Sequence, residues 1–279
     1  MSIAAWYLIK KKHIDFAQRA FKIGLVVALI SAYSQLFYGS KSADIVEKYQ
    51  PAKLAAMEGH YDTLSRAHLY LFGWVDKKAE TTKGIYLPGG LSFLVHQDFN
   101  APIRGLKSFP VADRPTSPNI VFQSYHIMIA IGVVLIALTT LAGFLLWKKK
   151  LFDKKWLMVA FVWAVALPQI ANQTGWYTAE TGRQPWVVYG LLRTSNALSQ
   201  SVTKNQVIFS LVLFTAVYVL LFVLFIYLLN KKIIHGPEGE GESTHNPRQQ
   251  EMTEVFDDAK PSEKEEHDTR PNKNDDDID

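Results

Sequence analysis

The hydrophobic residues of this chain are concentrated in long runs separated by polar segments. Four runs are each close to the roughly 20 residues that an α-helix needs to cross a bilayer. They extend from about Phe16 to Tyr38, from about Ile120 to Trp147, from Trp156 to about Ala179, and from about Val207 to Leu229. This pattern predicts an all-α fold, a polytopic transmembrane helix bundle with about four complete spans.

A fifth apolar segment, residues 1–9, is shorter than a full span. Its sequence MSIAAWYLI contains Trp6 and Tyr7 near its end and is followed by KKKH, the order in which a spanning helix closes at a membrane surface. Nine residues at about 1.5 Å each cover about half of the ~30 Å hydrocarbon core. We expect a partial transmembrane helix whose first half lies elsewhere. A short interfacial stretch is the alternative.

Lysine-rich segments predict the orientation of the spans. Lys10–Lys12, the segment KKKLFDKK at 148–155, and the pair Lys231 and Lys232 are separated by two spans each, so all three lie on one side. Short Lys-rich loops mark the cytoplasmic side of a membrane protein. The long segment between the first two complete spans is therefore expected to face outward.

These boundaries divide the chain into five segments, three of which contain membrane spans. In chain order they are a partial transmembrane helix at 1–9, a transmembrane helix with a basic cytoplasmic start at 10–39, an extracytoplasmic loop at 40–118, three transmembrane helices at 119–230, and a tail at 231–279. From Gly236 onward the tail has 15 Asp/Glu and 5 Lys/Arg. Such a segment is too charged to bury a core, so we expect a disordered acidic cytoplasmic tail.

Composition narrows the chemistry. The chain has no cysteine, which excludes disulfides and thiolate metal sites. Haem iron is still available to His, Met or carboxylate ligands. The net charge is +4, but the lysines cluster at the ends of apolar runs, so we expect a lipid bilayer as partner and no nucleic acid.

Two charged residues in the long loop are candidates for ligand binding. Pro51 suits the first turn of a helix, and Lys53 and Glu58 follow within the segment YQPAKLAAMEGHYDT. They are five residues apart, about 140° around a helix, and both could reach one polar ligand at the membrane surface. A carboxylate can accept a proton from such a ligand. An ordinary amphipathic loop helix is the alternative.

The outer third of the second complete span contains FQSYHIMIAIG, with His126 and Met128. Either side chain is a plausible axial ligand of haem iron. Because they are two residues apart, they point to different sides of a helix, and at most one faces a given haem. A lone Met on an apolar helix is more often a packing residue.

The third span ends in TGWYTAETGRQPW. Trp176 and Glu180 are four residues apart on one helical face, and Arg183 is within reach if the helix continues. A surface Glu–Arg pair beside belt tryptophans is one interpretation. In the other, Glu180 ligates haem iron or feeds protons to it, and Arg183 offsets a haem propionate. The residues alone leave both open.

Three motifs together resemble subunit I of the cytochrome bd quinol oxidases: GRQPW preceded by GWYTAE (175–186), QPAKLAAMEG (50–59) and HIM (126–128). The resemblance covers about residues 1–230. It implies a bacterial cytoplasmic (inner) membrane enzyme that oxidises quinol and reduces O2 to water. The implied cofactors are a low-spin haem b, a high-spin haem b and haem d, and subunit II is an implied partner.

The resemblance also implies roles for individual residues. Lys53 and Glu58 match quinol-binding residues, which makes residues 40–118 a quinol loop. Met128 matches an axial iron ligand of the low-spin haem b.

In the GRQPW region, Glu180 matches the carboxylate ligand at the high-spin haem pair, and Trp176 the aromatic residue beside it. Arg183 matches the arginine of the motif, in contact with haem. These three are the implied catalytic residues.

The resemblance begins partway through the family's subunit. The helices with the remaining haem ligands precede the matched part, so we expect an N-terminal half of subunit I on a separate chain. Two alternatives stay open: an inactive membrane remnant of an interrupted oxidase gene, in which Glu180 and Arg183 satisfy one another, and a quinol-binding electron-transfer subunit that does not need Glu180.

Overall fold

A computed structural model describes residues 1–199 and 201–237, and most of these residues are in helices. Residues 1–229 and residues 230–279 are two separate units, the second described only to Pro237. In chain order the helices are α1 (Ser2–Lys10), α2 (Ile14–Tyr49), α3 (Pro51–Met57), α4 (Gly90–His96), α5 (Pro118–Trp147), α6 (Lys155–Trp163), α7 (Leu167–Gly182) and α8 (Lys204–His235).

Four helical segments are long and apolar enough to cross a membrane, namely α2, α5, α6 with α7, and α8. This confirms the predicted fold class. The acidic segment from residue 238 onward, for which we expect disorder, lies outside the described residues.

The helices differ from the sequence boundaries in three main places, the first being α8, which continues to His235 and so makes the start of the predicted tail, residues 231–235, helical. α2 continues ten residues past position 39, to Tyr49, and ends just before Pro51, whose ring disfavours helical geometry in the preceding residue. The third span is two helices joined by a 3₁₀ turn at Ala164–Ala166. Pro168 explains the break, since it has no N–H and its ring conflicts with the carbonyl of Ala164.

The cytoplasmic end is held by contacts of α1 with α2 and α6. Phe21 on α2 is fully buried. Its ring packs edge-on against Phe161 of α6 at 5.0 Å between centroids and against Phe152 at 6.1 Å. α1 thus forms the helix that residues 1–9 predict.

The long outer loop folds into α3, α4 and two small antiparallel sheets. Its strands are β1 (Leu64–Ser65), β2 (Leu69–Asp76), β3 (Thr81–Leu87) and β4 (Pro102–Ile103), with β1 paired to β4 and β2 to β3. A third two-stranded sheet, the hairpin of β5 (Trp186–Val188) and β6 (Leu192–Arg193), follows α7. Asp76 Oδ1 accepts hydrogen bonds from the backbone N–H groups of Lys78 and Ala79, which closes the β2–β3 turn.

Two buried clusters hold the loop. The first joins α3 and the β2–β3 hairpin to α5 through Ala55, Ala56, Met57, Tyr61, Val75, Leu106, Val121, Phe122 and Tyr125. The second lies on the other side of α3, with Leu54, Ala67, Leu91, Val95 and Ile103.

Strand β2 is also tied to α5 by polar side chains one turn apart. Asn119 Oδ1 accepts a hydrogen bond from Val75 N at 3.1 Å, and Gln123 Nε2 donates to the Gly73 carbonyl at 2.7 Å. His126 Nε2 lies 2.8 Å from the carbonyl oxygen of Tyr70. The loop is therefore fixed in register along the outer end of α5.

The contact between α5 and α7 is an antiparallel seam of small side chains. The hydroxyls of Ser124 and Thr178 are hydrogen bonded at 2.9 Å. A Cβ on Gly182 would meet Val121 Cγ1 at 3.2 Å, and one on Gly175 would meet Met128 Sδ at 2.8 Å. The seam therefore needs its small residues, and it places Met128 directly against α7.

Replacing Phe21 with alanine should lower the free energy of unfolding by about 3 kcal/mol, because a buried aromatic ring leaves a cavity. Phe214→Ala on α8, where the ring is exposed, is the matched control and should cost less than about 0.5 kcal/mol. Thermal unfolding in detergent, followed by tryptophan fluorescence, compares them. Equal losses would contradict the packing described for α2 and α6.

Candidate functional site

Glu58 is a fully buried carboxylate at the end of α3. Neither carboxylate oxygen has a hydrogen-bond partner of good geometry among the described residues. Burial raises the pKa of Glu58 to about 7, and the hydroxyl of Tyr125 on α5 acts in the opposite direction by favouring the charged form. A carboxyl group in these surroundings exchanges a proton near neutral pH.

The turn after Glu58 is closed by its neighbours. Gly59 has φ +70°, a conformation that residues with a Cβ rarely adopt. A Cβ there would lie 2.9 Å from Thr82 Oγ1 and 3.0 Å from Phe122 Cδ2. Thr82 also donates a hydrogen bond to the Gly59 carbonyl. Glu58 is therefore held where α3, the hairpin and α5 meet.

Lys53 lies in different surroundings from Glu58. Its side chain runs over Gly182, where a Cβ would meet Lys53 Cγ at 3.1 Å. Burial lowers the pKa of Lys53, as does the charge of Arg183, while Glu180 raises it. The structure therefore brings Lys53 to the GRQPW turn and places Glu58 beside Tyr125.

The two charges of the GRQPW turn pair with each other. Arg183 Nη2 donates to Glu180 Oε2 within the same helical turn, and both side chains are partly exposed. The alternative of an inactive remnant expects this pairing of Glu180 with Arg183. The ion pair uses only part of the guanidinium group, because Arg183 Nε is buried without a partner among the described residues.

A narrow cleft lies between α3 and the GRQPW turn. It is lined by polar side chains, including Gln50, Lys53, Arg183 and Trp186. Arg183 Nε, Trp186 Nε1 and Gln50 Oε1 are buried and lack partners in the described part of the chain. The carboxylate of Asp113 also lines this cleft, whose volume of about 10 Å³ is that of about one water molecule.

A much larger cavity, about 640 Å³, lies between α2, α5 and the α6–α7 turn. Its lining is mostly apolar and includes Ala28, Gly132, Ile136 and Pro168. Cavities of this size and character commonly hold cofactors.

Met128 lies one turn outward of Gly132 on α5, and Gly175 lies two turns outward of Pro168 on α7. The contact between Met128 and Gly175 therefore lies beyond the outer end of this cavity. Met128 is therefore close to this cavity along α5 but does not line it, and its sulfur faces Gly175 on α7.

The exposed face of α7 is unusually polar for a membrane span. Asn172, Gln173 and Trp176 are all exposed, and two of them carry amides. Amides facing lipid would cost several kcal/mol each. This face, which leads to Glu180, is therefore expected to be covered by protein or cofactor.

Three site residues escaped the motif reading. Tyr125 lies one turn before Met128 on α5, and only the packing of α3 against α5 brings its hydroxyl to Glu58. Gln50 lies within the QPAKLAAMEG motif, and Trp186 within GRQPW, but only the fold aims their polar atoms into the cleft between α3 and the turn.

Comparison with known proteins gives a consistent assignment. The family described as "Cytochrome bd terminal oxidase subunit I" matches residues 1–237. The chain is 32% identical to the cytochrome bd ubiquinol oxidase subunit 1 of Bacillus subtilis (strain 168), over 85% of this chain and 53% of that protein. It is 33% identical to the putative cytochrome bd menaquinol oxidase subunit I of the same organism, over 82% of this chain and 52% of that protein.

A solved structure agrees. The structure of bd oxidase from Geobacillus thermodenitrificans superposes with a TM-score of 0.74 at 32% identity, over 85% of this chain and 54% of that one. The chain thus spans about half the length of the relatives it matches.

Replacing Glu58 with glutamine should remove a pH-dependent loss of stability. The raised pKa of Glu58 means that the folded state binds a proton between about pH 4.5 and 7 that the unfolded state has released. Wild-type stability should therefore fall as pH rises through this window, by at most about 3 kcal/mol. Thermal unfolding at pH 5 and pH 8 measures the difference.

Asp62→Asn, at an exposed loop acid, is the matched control and should keep the wild-type pH profile. A Glu58→Gln variant with the same pH dependence as the wild type would show that Glu58 is ionised throughout.

Proposed function

Because this chain belongs to the cytochrome bd terminal oxidase subunit I family, we propose that it forms part of a quinol:O2 oxidoreductase of the bacterial cytoplasmic membrane. In this role it contributes the quinol loop and part of the haem sites. The observation that carries the proposal is Glu58, a buried carboxyl group with a pKa of about 7 at the end of a loop helix. Such a group is suited to accept a proton from a quinol hydroxyl at neutral pH.

Oxidation of a quinol to a quinone releases two protons and two electrons. The ionised Glu58 takes one of the protons and becomes neutral, and it returns to the carboxylate when it passes that proton outward, since a pKa of about 7 makes both forms accessible. Lys53, whose pKa is lowered by burial and by Arg183, donates a hydrogen bond to a ligand oxygen. In this structure the two side chains face different surroundings, so a shared ligand requires movement of α3 or of the GRQPW turn.

A low-spin haem b, a high-spin haem b and haem d would supply the electron transfer to O2. Met128 would hold the iron of the low-spin haem b, and its sulfur faces Gly175 beyond the outer end of the cavity between α2, α5 and the α6–α7 turn. Arg183 and Trp186 have free N–H donors for a propionate. Glu180 would be the carboxylate ligand at the high-spin haem b and haem d, which requires it to leave its ion pair with Arg183. Trp176 lies beside it on the same helical face.

The remaining ligands belong to the part of subunit I that lies beyond the matched half. We propose that the site is completed by that other half of subunit I, with subunit II as a further partner. The exposed amides Asn172 and Gln173 on α7 support a covering protein, because lipid would leave them unsatisfied.

One observation favours a second candidate function. The pairing of Glu180 with Arg183 satisfies both charges within this chain and leaves Glu180 with no need of iron. A quinol-binding subunit that passes electrons to another protein would use Lys53 and Glu58 alone.

Quinol-dependent O2 uptake by membranes containing the chain and the other half of the subunit separates the two candidates. Glu180→Ala should abolish O2 reduction and leave quinol binding unchanged, because the carboxylate serves only the oxygen site. Thr181→Ala is the matched control. Normal turnover by Glu180→Ala would favour the electron-transfer subunit.

In the same assay Glu58→Gln should lower the rate of quinol oxidation about 100-fold or more, which is the usual contribution of a general base to a reaction rate. A rate within a few-fold of wild type would remove Glu58 from the proton-accepting role.

A further inference from the structure

The β2–β3 hairpin has a large apolar face with no protein over it in the described part of the chain. In its register Phe72 pairs with Ile85, and Trp74 pairs with Lys83. Phe72, Ile85 and Trp74 are 70%, 67% and 63% exposed. We call these four residues the outer hairpin face.

The opposite face of the hairpin explains why these residues point away from α5. Val75 is buried, Thr82 bonds to the Gly59 carbonyl, and a Cβ on Gly73 would meet Phe122 Cζ at 3.3 Å. Alternation along the strands then directs Phe72 and Trp74 outward. The apolar face is thus a fixed feature of the sheet.

The depth of the hairpin follows from α5. Trp147 is followed by three lysines, the belt and anchor pattern of the inner interface. A ~30 Å core takes about 20 residues, so the core ends near Ile127.

The hydrogen bonds between β2 and α5 give the depth of the hairpin relative to the core boundary near Ile127. His126, which contacts Tyr70, lies at the core boundary, and Gln123, which contacts Gly73, lies about 6 Å beyond it at about 1.5 Å per residue. Phe72 is next to Gly73 and opposite Ile85, so both lie in the outer interfacial layer, which is about 5–8 Å thick. Trp74 and Lys83 lie at its edge.

The chemistry of the face matches that layer. Aromatic rings with a neighbouring lysine are typical of the headgroup level, where a ring is half in hydrocarbon and an ammonium group meets lipid phosphate. Ile120 and Ile127 on α5 are also exposed large apolar side chains at this level. In water, three adjacent large apolar side chains would form a costly patch.

We propose that the outer hairpin face inserts into the outer leaflet of the bilayer at the boundary between headgroups and acyl chains. The hairpin thereby anchors the loop to the lipid surface, with Phe72 and Ile85 as the buried wedge and Lys83 on the phosphates. Its inner face holds the Glu58 turn, so the anchor fixes that turn relative to the membrane. The inference concerns lipid contact and does not depend on haem or quinol.

Because the chain has no cysteine, single spin labels can be placed without altering native residues elsewhere. Phe72→Cys and Ile85→Cys report on the outer hairpin face, and Lys78→Cys, exposed in the hairpin turn, is the matched control. The full chain is reconstituted, together with the subunits that purify with it, in vesicles of phosphatidylethanolamine and phosphatidylglycerol. Collision with O2, which dissolves in lipid, is compared with collision with a water-soluble nickel chelate.

Lipid insertion predicts that labels at positions 72 and 85 collide several-fold more with O2 than with the nickel chelate, and that the label at 78 shows the reverse. Preference for the chelate at 72 and 85 would place the face in water and overturn the proposal. Low collision with both reagents would mean that another protein surface covers the hairpin, which also overturns it.

Discussion

The seam between α5 and α7 is the interaction on which the rest of the outer membrane half depends. Its small residues allow close approach, and the hydrogen bond between Ser124 and Thr178 lets two polar side chains sit between membrane helices without an unsatisfied group. The same seam places Met128 against Gly175 and sets Gly182 under Lys53. A wider seam would therefore move both the Met128 sulfur away from Gly175 and Lys53 of α3 away from Gly182.

A second constraint is the low polarity of the surroundings, which makes every unpaired polar atom informative. Glu58 is buried and lacks a good hydrogen-bond partner, so burial raises its pKa to about 7 and both its neutral and its ionised forms are accessible near neutral pH. Arg183 Nε and Trp186 Nε1 are N–H donors that are likewise buried without a partner among the described residues. The residues of these two donors, Arg183 and Trp186, both line the cleft between α3 and the GRQPW turn.

The membrane spans could be predicted from the sequence because helix length and hydrophobicity are local properties. The motifs also located Lys53, Glu58, Met128 and Glu180 on the right elements. The spacing of Lys53 and Glu58 could not reveal their separation, since it depends on how α3 sits between α5 and α7. The β2–β3 hairpin does not follow from the charged residues of the loop, since LYLFGWVD has no charge before Asp76. The break at Pro168 does not follow from the hydrophobicity of the third span, because that average is insensitive to a single proline.

The central claim is that this chain provides an axial haem ligand through Met128. The direct measurement is a reduced-minus-oxidised absorption spectrum of membranes in which the chain is co-expressed with the other half of subunit I. The account predicts haem b bands with the wild type and with Met158→Leu, a control at a buried methionine far along α6, and loss of the low-spin haem b band with Met128→Leu. An unchanged spectrum for Met128→Leu would contradict the claim.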